Sequence, residues 1–404
     1  MISVEDALAR ILAAFQPLPA ETVGLANALG RVLAEDVAAR VDQPPQAVSA
    51  MDGYAVRAAD VATVPAVLTQ IGEAPAGGAF EGSVGPGETV RIFTGGPVPA
   101  GADSIVIQED TEADGERITV QESVTAGRYV RPAGLDFKRG DVGVAAGQLV
   151  TARDIGLAAA MNVPWVKVHR RPRVAILGTG DEIVMPGDPL GPNQIVSSNG
   201  LALQAFVTAC GAEPIHLGIA GDNAESLAAV VEGARGADLL VTTGGASVGK
   251  HDLVQEVLTR EGLDLDFWKI AMRPGKPLMF GQIAGTPMLG LPGNPVSSLV
   301  CAVLFVRPAL YRMLGRADVE PRTRPAILAR GLGRNDRRQD YLRARLARDA
   351  EGRLTATPFD RQDSSMLAAL AHSDALILRP PHAAAIEAGA EVPVVMLEGG
   401  ALSI

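Results

Sequence analysis

The chain has 404 residues, more than a single hydrophobic core ordinarily serves, so a multidomain protein is expected. A formal net charge of −10 and an aromatic content of 4 % exclude a polyanion-binding surface and broad base-stacking platforms, and with them nucleic acid as a partner. Any anionic ligand must be held locally, by loops and a few basic side chains.

At the N-terminus, "MISVEDALARILAAF" carries acids where a secretory signal needs bases. It reads instead as a helix, with Ser3 and Asp6 in capping-box spacing and Leu8, Ile11, Leu12 and Phe15 on one face. A second helical pattern is expected over "LANALGRVLAEDV". From Val41 to about Asp136, short β-branched runs alternate with Gly and Pro clusters such as "APAGGAFEGSVGPGE", the texture of a small β-rich domain inserted between helical segments. Helix returns at "ARDIGLAAAMN".

From Arg173 to about Gly315, strand and helix patterns alternate: "RVAILG", "NGLALQAFVTACG", "PIHLGIAG", "NAESLAAVVEGARG", "DLLVTTGG" and "HDLVQEVLTREG". This alternation predicts a parallel sheet with crossover helices. Beyond Pro321 the chain turns β-rich again, with "RPAILARGLG", "YLRARLARD", "DALILRP" and "EVPVVML". The expected fold is therefore multi-domain α/β. Its segments are 1–40 with 137–170 (helical), 41–136 (inserted, β-rich), 171–318 (α/β) and 319–404 (C-terminal, β-rich). Cys210 and Cys301 lie in apolar runs and read as buried small hydrophobes, with no disulfide or thiolate metal site, which fits a reducing compartment. The longest strongly apolar region, Val296 to Val306, is too short for a bilayer span. The expected location is the cytoplasm, with no membrane partner.

Ligands of open α/β sheets bind beyond the carboxyl ends of the strands. Three strands here end in loops that combine glycine with acid: "GTGDE" (Gly178 to Glu182), "AGDN" (Ala220 to Asn223) and "TTGGASVGKHD". Glycines let backbone N–H groups approach a phosphate, and carboxylates on the same rim require a hard cation such as Mg2+ between them and that phosphate. Each acid taken singly also fits a helix-capping role. Gly244, Gly249 and Lys250 match the opening of a P-loop, but His251 stands where a Mg2+-holding Ser or Thr belongs. Further on, "FWKIAMRPGKP" gathers Lys269, Arg273 and Lys276 around a Pro-Gly turn, cations that need an anion or the acidic rim to face. "LGLPGNPVSSLV" then provides a strand, a turn set by Pro292 and Pro295, and a helix start whose N–H groups form an oxyanion cradle.

Taken together and in order, "SAMDGYAVR", "RIFTGGPVPAGADSIVIQED", "GTGDE", "TTGGASVGKHD", "FWKIAMRPGKP" and "LPGNPVSS" resemble the molybdopterin molybdenumtransferases, the molybdenum-insertion enzymes of molybdenum cofactor synthesis. Gephyrin's E domain is a relative, and the resemblance extends over essentially the whole chain. It implies a molybdopterin-binding-like α/β domain, a dimerisation role for the N-terminal domain, and an elongated homodimer in which the inserted domain of one subunit lies near the α/β domain of the other. The implied substrates are adenylylated molybdopterin and molybdate, with Mg2+-dependent release of AMP. The adenylyltransferase of the preceding step is an expected partner.

By the same resemblance the catalytic positions are Asp52, Thr94, Asp136, Glu182, Asp222, Asp252, Lys269 and Lys276, with Glu182, Asp222 and Asp252 holding the metal. The implied ligand-binding set is Gly178, Thr179, Gly180, Asp181, Gly244, Gly245, Ser247, Gly249, Arg273, Pro292, Gly293, Asn294, Pro295 and Ser297, with Arg343 and Ser364 near molybdate. Arg273 stands where many relatives carry Lys, and Ser197 where relatives often carry Asp, so Ser197 is given no metal role. Two other readings stay open on the residues alone: an adenylyltransferase using ATP and molybdopterin, and a non-catalytic molybdopterin-binding scaffold.

Overall fold

The computed structural model describes residues 1–75, 77–221, 232–244 and 262–397. Within 41–136, six strands form one sheet: β1 (Gly53–Val56), β2 (Ala66–Ala74), β3 (Glu88–Ile92), β4 (Ser104–Ile107), β5 (Thr111–Asp114) and β6 (Arg117–Val120), in the order β4-β1-β3-β2-β6-β5. Alternation along β3 and β4 puts Val90, Ile92 and Ile105 in one core and Val106 in another, so both faces are covered.

The helix α1 (Val4–Ala13) forms as its cap spacing predicts, with Asp6 N donating to Ser3 Oγ at 2.9 Å. Its buried face is Val4, Ala7 and Ile11, followed by Phe15, while Leu8 and Leu12 lie at the edge. That face packs into the α/β core beside Val174, Ile176 and Leu289, not with residues 137–170. The expected helix over "LANALGRVLAEDV" is not there. The stretch forms a 3-10 turn at Leu25–Asn27, and Val32 and Leu33 then bridge to Leu149 and Val168. Pairing across more than a hundred residues buries both side chains completely or nearly so, and this tertiary gain overrides local helix propensity. The unit they form with α2 (Ala152–Ala160) is thus mainly extended, around a core that includes Phe137, Val144 and Met161.

The α/β sheet comprises β7 (Arg173–Thr179), β8 (Glu213–Ala220), β9 (Leu239–Gly244), β10 (Leu263–Trp268), β12 (Met279–Ile283) and β13 (Thr286–Leu291), in the order β8-β7-β9-β13-β12-β10. Four strands are parallel, as the alternating pattern predicts; β12 and β10 complete the sheet as an antiparallel edge. Between β10 and β12 the short strand β11 (Met272–Arg273) leaves this sheet and pairs with the C-terminal one. That sheet closes on itself through β14 (Thr323–Leu328), β15 (Gln339–Arg348), β16 (Leu354–Pro358), β17 (Ala375–Arg379) and β18 (Glu391–Met396), β15 pairing with both β16 and β17. Its Tyr341, Leu376 and Val395 share the α/β core.

The helix α3 (Asn199–Ala209) follows β7, and α4 (Pro295–Cys301) follows β13. A π-turn at Ala302–Val306 carries α4 directly into α5 (Arg307–Met313). This run, Pro295–Met313, is 19 residues long, so the apolar stretch exceeds the Val296–Val306 segment visible in the sequence and reaches bilayer length. Its most apolar window is 78 % buried inside the protein, which makes it a core helix.

Candidate functional site at the strand ends

Strand register assembles the rim. Thr179 at the end of β7 lies opposite Ala220 of β8 and Gly244 of β9, and Thr243 lies opposite Leu291 of β13. The ends of β7, β8, β9 and β13, at Thr179, Ala220, Gly244 and Leu291, therefore lie side by side, as the sequence predicts. Gly244 has φ +99°, and a Cβ there would clash with the Thr179 carbonyl, so the two strand ends approach this closely only with glycine. Gly178, Thr179 and Gly180 are buried, while Asp181 and Glu182 emerge into solvent. The Thr179 hydroxyl is buried with no hydrogen-bond partner among the described residues. Asp222, Gly245, Ser247, Gly249 and Asp252 lie outside the described residues.

Asn199, absent from the sequence-derived set, ties this rim together. Its side-chain amide donates to Thr243 Oγ1 and to the Gly293 carbonyl, both at 2.8 Å. Thr243 Oγ1 in turn donates to the Pro292 carbonyl at 3.3 Å. The available signal was a polar residue opening a helix directly after a strand-end loop, in "SSNG".

Asn294 holds the N-cap position of α4 without a side-chain cap bond, Pro295 opens the helix, and Ser297 and Ser298 in its first turn are buried. Asn294 Nδ2 donates to Ser364 Oγ at 2.9 Å, and Val296 N donates to the Ser364 carbonyl at 3.2 Å. Ser364 thus brings the C-terminal sheet to the rim, and one N–H of the expected oxyanion cradle is already taken. Arg343, 1 % exposed, shapes the loop carrying Ser364: its Nε donates to Gln362 Oε1 at 3.2 Å and its Nη1 to the Asp363 carbonyl at 2.9 Å. Burial holds its guanidinium below the usual arginine range.

Within the basic turn, Arg273 faces acids of the C-terminal unit. Arg273 pairs with Asp340 and reaches Asp336 at 3.4 Å and Asn335 at 3.3 Å. Hydrogen bonds from Arg338 are the main reason Asp336 titrates far below the ordinary carboxylate range. Burial pushes the Asp340 carboxyl upward against the opposing pull of Arg273. Lys269 is half-buried with its ammonium 3.6 Å over the Trp268 ring, and Lys276 is exposed.

A second grouping lies in the inserted unit. Thr94 donates from its backbone N and its hydroxyl to Asp52 Oδ1, at 2.7 and 2.8 Å. Those bonds, the backbone one foremost, lower the Asp52 pKa. Asp136 lines a cavity of about 760 Å³ with Gly95, Pro97 and Arg131, which sets it beside the turn that carries Thr94. The described contacts thus place the expected residues in a strand-end group and an inserted-unit group. Among the described residues no three His, Cys, Asp or Glu side chains gather as a metal site. Both cysteines are free and buried, as their apolar surroundings predict.

Three family models match in succession: the MoeA N-terminal region (domain I and II) over residues 2–162, the probable molybdopterin binding domain over 175–312, and the MoeA C-terminal region (domain IV) over 325–397. The chain is 36 % identical over 397 residues to molybdopterin molybdenumtransferase 2 of Mycobacterium tuberculosis, covering 96 % of each chain. It is 33 % identical over 399 residues to the molybdopterin molybdenumtransferase of Haemophilus influenzae, covering 98 % of each. The crystal structure of the molybdopterin biosynthesis MoeA protein of Pyrococcus horikoshii superposes with a TM-score of 0.86 at 34 % identity, over 99 % of this chain and 100 % of that one. A shared order of domains, identity across the full length and a common three-dimensional course lead to one conclusion: the chain belongs to the molybdopterin molybdenumtransferase family.

Proposed function

We propose that this protein transfers molybdenum from molybdate to adenylylated molybdopterin and releases AMP in a Mg2+-dependent step, yielding molybdenum cofactor. The observation that carries this reading is the convergence, at one rim, of three parallel strand ends, the α4 start at Asn294 and Ser364 of the C-terminal unit. The glycine-lined strand ends and the buried Thr179 hydroxyl receive the pterin phosphate; Lys269 and Lys276 neutralise phosphate and molybdate oxygens. Arg343 acts by holding the Ser364 loop, and Arg273 by locking the basic turn to Asp340.

Glu182, with Asp222 and Asp252, is the proposed Mg2+ set. Glu182 fits: its Oε2 folds back to within 2.6 Å of the position a Cβ on Gly180 would take, which puts a hard oxygen donor over the strand end. Bound there, the cation would supply charge neutralisation at the phosphate oxygens. The protein acts as a homodimer in the cytoplasm, with Asp52, Thr94 and Asp136 completing the site of the partner subunit, and it receives its substrate from the adenylyltransferase of the preceding step.

The test is to load the purified protein with adenylylated molybdopterin and add molybdate and Mg2+. AMP release in step with molybdenum incorporation, both read by mass spectrometry, is expected. Turnover of ATP with molybdopterin would instead make the protein an adenylyltransferase, and retention of intact adenylylated pterin would make it a binding scaffold.

A further inference from the structure

A cavity of about 290 Å³ lies away from the rim, where three units of the fold meet. Gly30 and Leu149 come from the N-terminal unit, Cys210 and Arg307 from the α/β unit, and Arg324 and Met396 from the C-terminal sheet. Both helices that open at the rim run to it. α3 begins with Asn199 at the strand ends and closes at Cys210 on the cavity wall; the run that begins at Pro295 brings Arg307 and Tyr311 to the same wall. Eleven helical residues at 1.5 Å each separate the two places by roughly 16 to 17 Å.

The cavity is basic in an acidic protein. Arg307, Arg316, Arg322 and Arg324 line it against only Asp318 and Glu320. Asp318 is already committed: Arg316 holds both its oxygens at 2.7 Å, and Arg322 reaches it at 3.3 Å. The Arg316 guanidinium also stacks 4.0 Å over Tyr311, which fixes its plane. Arg307 is half-buried and Arg324 exposed, and neither has a carboxylate partner among the described residues. A half-buried guanidinium without a counter-charge costs free energy that an anion would recover. Planar arginine forks suit tetrahedral oxyanions in particular, and the volume is at the small end for ligand sites.

We propose that this cavity is a second anion site, one that binds a phosphate-class dianion between Arg307 and Arg324 and so braces the three units against each other. The dianion is either inorganic phosphate or the phosphate group of a small monoester. A ligand bound only by the folded state raises stability by mass action, so the site is readable without enzyme turnover.

The experiment is calorimetric titration and thermal unfolding of the full chain with inorganic phosphate and with glycerol phosphate, at ionic strength held constant with chloride. Wild type is expected to show saturable binding of at least one of the two with a rise in unfolding midpoint. Arg324→Gln, on the exposed side where no packing is lost, is expected to weaken that binding at least tenfold, and Arg307→Gln with Arg324→Gln to abolish it. Lys269→Ala with Lys276→Ala, at the basic turn, leaves it in place. Tighter binding of glycerol phosphate identifies an organic phosphate as occupant; equal or tighter binding of inorganic phosphate identifies the free ion. No saturable binding of either, or binding unchanged in Arg324→Gln, overturns the proposal.

Discussion

Thr94 holds a single oxygen of Asp52 with two hydrogen bonds, from its backbone N at 2.7 Å and from its hydroxyl at 2.8 Å. A carboxylate so bound resists protonation, and the backbone bond has the larger effect on its pKa. The folded-state value lies below the unfolded one. Whatever stability the pair contributes is therefore present above the ordinary carboxylate range and is lost as pH falls through the folded value. In Thr94→Val the hydroxyl bond goes and the backbone bond stays. The Asp52 carboxyl should then titrate part of the way back towards its ordinary value, read by carboxyl carbon NMR. An unchanged titration would show that the hydroxyl does nothing for this acid.

Asn199→Ala removes two bonds that staple β9 to the turn after β13. At about 1 kcal/mol each, the loss of stability should be about 2 kcal/mol. Molybdenum insertion should fall further than stability predicts, by about 10- to 100-fold, because misplacing positioned groups by an ångström has effects of that size. Thr243→Val, which breaks part of the same network, should not add fully to it. Full additivity in a double-mutant cycle would separate the two residues.

Gly275 sits in the basic turn at φ +111°, and a Cβ there would stand 2.6 Å from Cys301 Sγ. Gly275→Ala should cost about 3 kcal/mol in urea unfolding, from backbone strain and overpacking together. Adding Cys301→Ala should restore only the packing part. Burial pushes the Cys210 thiol up to about 12 and raises Cys301 as well, so neither should react with a thiol reagent at pH 8 before unfolding.

If sites are shared between subunits, Asp52→Ala and Asp252→Ala chains should complement when mixed. In a heterodimer one site carries both lesions and the other neither, so activity should return towards half per dimer. Verified subunit exchange with no recovery would place a complete site within each chain.

The P-loop-like stretch ending in Lys250 should not sustain ATP hydrolysis, since His251 provides no hydroxyl for Mg2+. Steady ATPase activity lost in Lys250→Ala would refute this.

Local chemistry is what the sequence alone determined. Alternating strand and helix periods announced the parallel strands β7, β8 and β9, and glycine beside acid marked their ends as the rim, because side-chain period and strand-end loops are local properties. The ordered motifs pointed to the family for the same reason: each is a short stretch whose chemistry requires those residues in place. Long-range pairing decided the rest. It turned "LANALGRVLAEDV" into extended bridges, moved α1 into the α/β core, and sent β11 across to the C-terminal sheet. It also chose the partners of the charges. Arg273 answers to Asp336 and Asp340, and Ser364 to Asn294, residues about 60 to 70 positions apart. No local pattern encodes such pairs, since they are made only when separately folded sheets bury their shared apolar faces and bring these side chains within reach.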